Sequence, residues 1–376
     1  MAEAPISGRH IPALDGVRGL AVLVVFLYHY GGGAQSSNPA LRLIGVCVHA
    51  GWCGVTLFFL LSGFLISGIL WDKKEQPHWW RDFYRRRVLR IFPLYYAALL
   101  LVLVSAIAVG NAPIAFSRIW IFGLYLQNTP PFSTGSADTG SPLMVYHLWS
   151  LAVEEQFYLL WPFLIVRARS LAQARNLCLA VFLLSALFRL VIWRTTVAPL
   201  EYDGSLPARA GELAAGAWLA MCFRDSSLFQ LVRRFAPRML LVAGAAFVGV
   251  AAIERSFVPE TRGMFLAGLP SITLALAALL AIALGDGIVA RFMSLRWLRW
   301  LGKISYGIYV FHVLLAPVFH RIAVDLAPHG GRNLVICLTA AIACVLTLAV
   351  AQLSFTFFEQ PFLRLKTPRP AQPSQI

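Results

Sequence analysis

The fold is decided by residues 14–30, LDGVRGLAVLVVFLYHY. The run is apolar and close to the roughly 20 residues that a helix needs to cross a bilayer. Asp15 at its start suits an N-cap. Two ionisable groups interrupt it, Arg18 and His29, eleven positions apart. At about 100° per residue they return to the same face within about 20°, separated by about 16 Å along the axis. Arg18 falls near one membrane boundary and His29 deep in the opposite half. Two readings stand. In one, Arg18 snorkels to the headgroups and His29 bonds to a neighbouring helix. In the other, they mark the two ends of a long ligand, anionic at Arg18 and reactive at His29.

The rest of the chain is built in the same way. Of its 376 residues, 59% are hydrophobic and 13% charged, whereas soluble domains run near 25% charged. This excludes an ordinary cytosolic enzyme, a disordered chain and a disulfide scaffold. What remains is an all-α polytopic membrane helix bundle, because lipid offers no partner for unpaired backbone groups. Ten transmembrane helices are expected, at residues 14–31, 53–71, 89–110, 146–166, 176–194, 208–223, 239–254, 264–284, 303–322 and 333–357. The run 119–126 is too short to span, and the surrounding loop 111–145, rich in Pro, Gly, Ser and Thr, is expected to be irregular.

The net charge of +15 needs no nucleic acid to explain it. With the N-terminus in the cytoplasm, alternation places 23 Lys and Arg on the cytoplasmic side and 8 on the other. This is the positive-inside bias, and it puts both termini in the cytoplasm. The expected organisation is one transmembrane domain, 1–366, and a Pro-rich tail, 367–376. The six cysteines contain no CxxC pair, so no metal knuckle is expected.

Ionisable groups inside spans are costly and mark function by default. The second span reads GVTLFFLLSGFLISG (54–68), where Ser62, Gly63 and Gly68 let helices approach closely. It is followed by RDFYRRRVLRIFPLYY (81–96). Arg86, Arg87 and Arg90 there lie about one helical turn apart and either set topology or grip phosphate, which Arg does bidentately. The segment HLWSLAVEEQFYLLWP (147–162) puts His147 and Glu154 on one face within about 20°, with Tyr158 a turn further on. In LPARAGELAAGAWLA (206–220), Arg209 and Glu212 form an i,i+3 pair. LGKISYGIYVFH (301–312) brings Ser305, Tyr309 and His312 to one face, and FTFFEQPF (355–362) carries Glu359 near a boundary.

Taken together, ALDGVRGLAVLVVFLYHY, GVTLFFLLSGFLI, RRRVLRIFPLYY, HLWSLAVEEQFYLLWP, LGKISYGIYVFH and FFEQPF resemble the acyltransferase-3 family of integral membrane O-acyltransferases, in the family's order from residue 11 to 365. The resemblance implies a ten-helix bundle in the cell (inner) membrane. It implies transfer of an acyl group, acetyl above all, from acyl-CoA to a hydroxyl of a sugar, lipid-linked glycan or secreted small molecule. It also implies that His29 is catalytic and that Arg18, Arg87 and Arg90 serve the CoA, with Arg86 and Ser62 beside them.

The residues fit that chemistry. A thioester is already activated, so the protein must raise the nucleophilicity of a hydroxyl, which a neutral imidazole does as general base. Glu154 is expected to orient His29 or the acceptor, and Tyr158 or Ser62 to serve an oxyanion. His147, Arg209, Glu212 and His312 are expected on the acceptor. A covalent acyl-His29 intermediate is an open variant. The competing reading is a transporter or exporter of a lipid-linked or anionic solute, with the same groups lining a pathway. Transporters favour repeated halves, and the second half shows no echo of the Arg18–His29 face.

Overall fold

The computed structural model describes residues 11–31, 45, 48–130, 132–133, 138–196 and 198–365. The expected tail at 367–376 lies outside them. Among the described residues every regular element is helical, as the composition requires.

The long helices are α1 (Pro12–Tyr30), α2 (Cys53–Lys73), α3 (Trp79–Ala108), α6 (Leu171–Thr195), α8 (Ser226–Glu254) and α13 (Arg332–Leu353). Between them lie α4 (Ala112–Gly123), α5 (Trp149–Ile165), α7 (Leu206–Phe223), α9 (Leu269–Ala283), α10 (Ile288–Met293), α11 (Arg296–Leu314) and α12 (Ala316–Leu326). A 3₁₀ turn, Tyr146–Leu148, leads into α5, and a π turn, Ser354–Glu359, carries α13 onward into α14 (Gln360–Arg364).

Seven helical stretches among the described residues are long and apolar enough to cross a membrane, or eight when α11 and α12, bent by 61°, count as one span. The expectation of ten therefore includes two stretches, 146–166 and 208–223, that do not qualify by length and composition. The reason is physical. Helix α5 has 17 residues and carries Glu154, Glu155 and Gln156, while α7 carries Arg209 and Glu212 and is buried along most of its length. Helix α7 lies in the interior among neighbouring helices, whereas α5 turns Ser150, Glu154 and Tyr158 inward and leaves Leu159, Leu160 and Phe163 exposed on its other face. Residues 112–123 of the loop expected to be irregular form the apolar helix α4.

Packing separates centre from rim. Helix α1 packs chiefly on α11 and α2, and α2 in turn on α7. About 67% of the α2 span is buried against protein, compared with 17–22% for α6, α8 and α13. Those outer helices show Leu184, Leu241, Val242 and Val345 to the lipid. Two seams let the central helices close up. At α1/α11, a Cβ on Gly302 would sit 1.8 Å from the Asp15 carbonyl oxygen. At α2/α7, a Cβ on Gly63 would sit 1.8 Å from the Leu213 carbonyl oxygen. With lipid no less apolar than Leu, such close backbone approach is what drives association. Gly63 thus does what its place in the second span suggested.

Candidate functional site

Three chambers run in a row along α1. The central one, about 340 Å³, is lined by Arg18 of α1, Ser62 of α2, Arg86, Arg87 and Arg90 of α3, and Glu154 and Tyr158 of α5. All seven were singled out in the sequence, and the structure brings them together. Tyr158 donates a hydrogen bond to Glu154 Oε2 at 3.2 Å and pairs with the Ser62 hydroxyl. The Arg87 guanidinium lies 5.3 Å from the centre of the Tyr158 ring. Arg18 forms an ion pair with Asp15 at 3.5 Å. The chamber is an arginine-rich cleft with apolar walls from Phe58, Leu65 and Ile69, a shape for an anion that carries a long apolar arm.

The second chamber, about 390 Å³, is lined by His29, His147 and Arg209, with Trp52, Trp149, Tyr146, Asn128, Glu201 and Glu260. His29 and Arg18 therefore share a helix but not a chamber. Val55 and Tyr309 line both spaces and divide them. The Tyr309 hydroxyl donates to the His147 carbonyl at 2.8 Å, and its oxygen is bonded to Ser150. His29 and Glu154 consequently face different chambers, and the expected contact between them does not form. The same wall separates His147 from Glu154, although seven-residue spacing put them on one face. His147 sits in the 3₁₀ turn, whose tighter winding of about 120° per residue rotates it off the α-helical stripe.

Three imidazoles gather at the end of α1. The His29 and His312 rings are 4.9 Å apart, and those of His147 and His312 are 5.5 Å apart. Each spends one ring nitrogen on a backbone carbonyl: His29 Nδ1 on Val25 at 3.0 Å, His147 Nε2 on Val310 at 3.1 Å, and His312 Nδ1 on Tyr309 at 2.7 Å. A carbonyl only accepts, so those nitrogens carry the protons. His29 Nε2 is thereby left as an acceptor, the state a general base requires. The trio is not arranged as a metal centre; among the described residues no group of three or more His, Cys, Asp or Glu is. His312 stands behind His29 rather than in the chamber wall.

Arg209 and Glu212 form a buried ion pair at 3.2 Å. Arg209 also pairs with Asp203 and lies 5.3 Å from the centre of the Trp149 ring. Arg209 thus reaches the second chamber, while Glu212 supports it from behind.

The third space, about 470 Å³, opens beside the first. Its lining includes Arg18 and Arg90, shared with the central chamber, together with Asp15, Arg296, Arg299 and Lys303. Arg296, Arg299 and Lys303 entered the sequence reading only as topology signals. Their spacing of three and four residues on α11 placed them on one face, which was the signal available.

The acyltransferase-3 family model, an acyltransferase domain, matches residues 11–355. The chain belongs to the acyltransferase-3 family. Among its curated relatives, peptidoglycan O-acetyltransferase OatA of Listeria monocytogenes is 28% identical over 94% of this chain and 56% of its own length. Putative peptidoglycan O-acetyltransferase YrhL of Bacillus subtilis is 29% identical over 94% of this chain and 55% of its own. O-acetyltransferase OatA of Staphylococcus aureus is 26% identical over 96% of this chain and 58% of its own. The chain thus spans a little over half the length of these relatives. No solved structure matches it. As an acyltransferase-3 member with seven or eight apolar spans, it is a multi-pass membrane protein.

Proposed function

We propose that this protein is a membrane O-acyltransferase that carries an acetyl group from acyl-CoA to a sugar hydroxyl of the cell envelope. The observation that carries the reading is the pair of adjoining chambers: arginines line the central one, an unspent imidazole nitrogen serves the second, and Tyr309 stands between. The relatives described as peptidoglycan O-acetyltransferases favour acetyl as the group and a peptidoglycan-type glycan as the acceptor. The second chamber suits a sugar, because Trp52, Trp149 and Tyr146 offer stacking faces and Glu201, Glu260 and Asn128 offer partners for hydroxyls.

In this reading CoA enters from the cytoplasmic side, the face that the excess of basic residues marks. Its diphosphate rests on Arg18, Arg86, Arg87 and Arg90, which hold it bidentately. The thin arm passes Ser62, Glu154 and Tyr158 and carries the thioester between Val55 and Tyr309 into the second chamber. A sugar hydroxyl waits beside His29. As its oxygen attacks the thioester carbonyl, His29 Nε2 takes the hydroxyl proton, and the Nδ1–H bond to Val25 holds the tautomer and steadies the imidazolium. The tetrahedral centre then collapses, the carbon–sulfur bond breaks, and the thiolate takes the proton to leave as free CoA. Glu154 and Tyr158 belong to the donor side, where they set the charge balance among the arginines. Arg209, braced by Glu212, and His147 serve the acceptor, with His312 behind His29.

The test is thiol release from acetyl-CoA by purified protein in lipid nanodiscs, with peptidoglycan fragments as acceptor. Wild type releases CoA and acetylates the glycan; His29→Ala loses about 10²–10⁴-fold in kcat. Equal rates would remove the base from His29. Acetylation of the glycan only with a donor other than acetyl-CoA would overturn the CoA assignment.

A further inference from the structure

The space beside α11 has no role in the route just described, yet it is the most basic of the three. Five cations line it, Arg18, Arg90, Arg296, Arg299 and Lys303, with the single carboxylate of Asp15. Arg299 Nε is buried with no hydrogen-bond partner, so a strong donor there is unspent, which is costly unless an anion arrives. Two aromatic rings, Trp300 and Phe355, complete the lining, and the Lys303 amine stands 5.0 Å from the centre of the Phe355 ring. Phosphate beside a flat heterocycle is the chemistry that this combination recognises, because guanidinium forks grip phosphate oxygens and aromatic rings stack on bases.

We infer that this vestibule is a nucleotide-phosphate subsite that holds the adenosine 3′-phosphate end of the donor. The inference rests on the acyl-CoA reading above. Its geometry is specific to that donor: Arg18 and Arg90 belong to both spaces, so a ligand with two separated phosphate groups spans the junction. The 5′-diphosphate lies at the shared arginines, the 3′-phosphate at Arg299 and Lys303, and the adenine lies against Trp300. A phosphatidylglycerol headgroup supplies the same phosphate chemistry, but it has neither a second phosphate group to reach the central chamber nor a base to stack.

The test is binding without turnover. Adenosine 3′,5′-bisphosphate and adenosine 5′-monophosphate are titrated onto the full chain in nanodiscs of phosphatidylcholine, and again in discs containing phosphatidylglycerol. Wild type is expected to hold the bisphosphate roughly 10- to 100-fold more tightly than the monophosphate, the range for a charged hydrogen-bonded contact. Lys303→Gln and Arg299→Gln should close that gap while the monophosphate affinity stays put, which also shows that the variants are folded. Arg299→Lys, keeping charge but losing the fork, should close it in part. Equal affinity of wild type for the two nucleotides overturns the proposal, as does a gap that survives both glutamine variants. A gap in neutral discs that anionic lipid abolishes by competition at the same residues assigns the vestibule to headgroups and likewise overturns it. Thiol release from acetyl-CoA is read separately, so a donor that is not CoA is distinguished from a CoA that is held elsewhere.

Discussion

The arginine chamber and the histidine chamber share a helix and a wall, yet they are built on opposite principles. In the first, the charged side chains are the lining itself, and their partners among the described residues are few: Asp15 for Arg18, and the rings of Phe83 and Tyr158 for Arg87. In the second, the imidazoles and the guanidinium are tied down. Each imidazole gives one nitrogen to a backbone carbonyl, and Arg209 is held by Asp203 and Glu212. The contrast teaches a division of labour. A chamber that must bind and release an anion keeps its cations available, and one that must place a proton fixes each imidazole by tying one of its two ring nitrogens to the main chain.

If that division is right, the two sides fail differently. The largest effect is expected from His29→Ala, a loss of about 10²–10⁴-fold in kcat with the KM for acetyl-CoA little changed, measured by thiol release. Gly302→Val attacks the frame that both sides share. Its side chain meets the Asp15 carbonyl across the α1/α11 seam, and it should cost about 3 kcal/mol, the upper end for overpacking, read as a drop in Tm by detergent-solubilised thermal unfolding. Arg87→Gln should raise the KM for acetyl-CoA by roughly 10- to 100-fold with a much smaller change in kcat. The smallest effect is expected from Tyr309→Phe. It removes the bond to the His147 carbonyl, worth about 1 kcal/mol, and should change both kinetic constants by only a few-fold. A large fall in kcat in Arg87→Gln, or a donor KM that moves with His29→Ala, would erase the distinction between the two sides.

How far the sequence alone reaches can be judged from particular residues. The long apolar spans were legible because lipid forces each to satisfy its own backbone within about 20 residues. So was the arginine chamber, since Arg18, Ser62, Arg87, Glu154 and Tyr158 all reach one space. The separation of Arg18 from His29 was not. Helical periodicity is a local rule, and the divider, Tyr309, comes from a helix some 280 positions later. His147 was misplaced for a local reason: the turn carrying it is 3₁₀ rather than α. The two stretches that fall short by length and composition, 146–166 and 208–223, show the opposite limit. Arg209 and Glu212 make α7 too polar for lipid, and only the surrounding helices explain how it stays buried.

The break between α11 and α12 has an effect beyond its own helix. Helices leave their final carbonyls unspent at such an end, and here two are claimed from afar. The Tyr30 hydroxyl, one residue past His29, donates to the carbonyl of His312, and the Met144 amide, three residues before His147, donates to that of Leu314 at 3.3 Å. One interrupted rod thus works as a clasp for two remote strands of sequence. One hold of the clasp is a side chain, Tyr30, and the other is main chain on both sides, so replacing Tyr30 releases the first while the Met144–Leu314 hold stays.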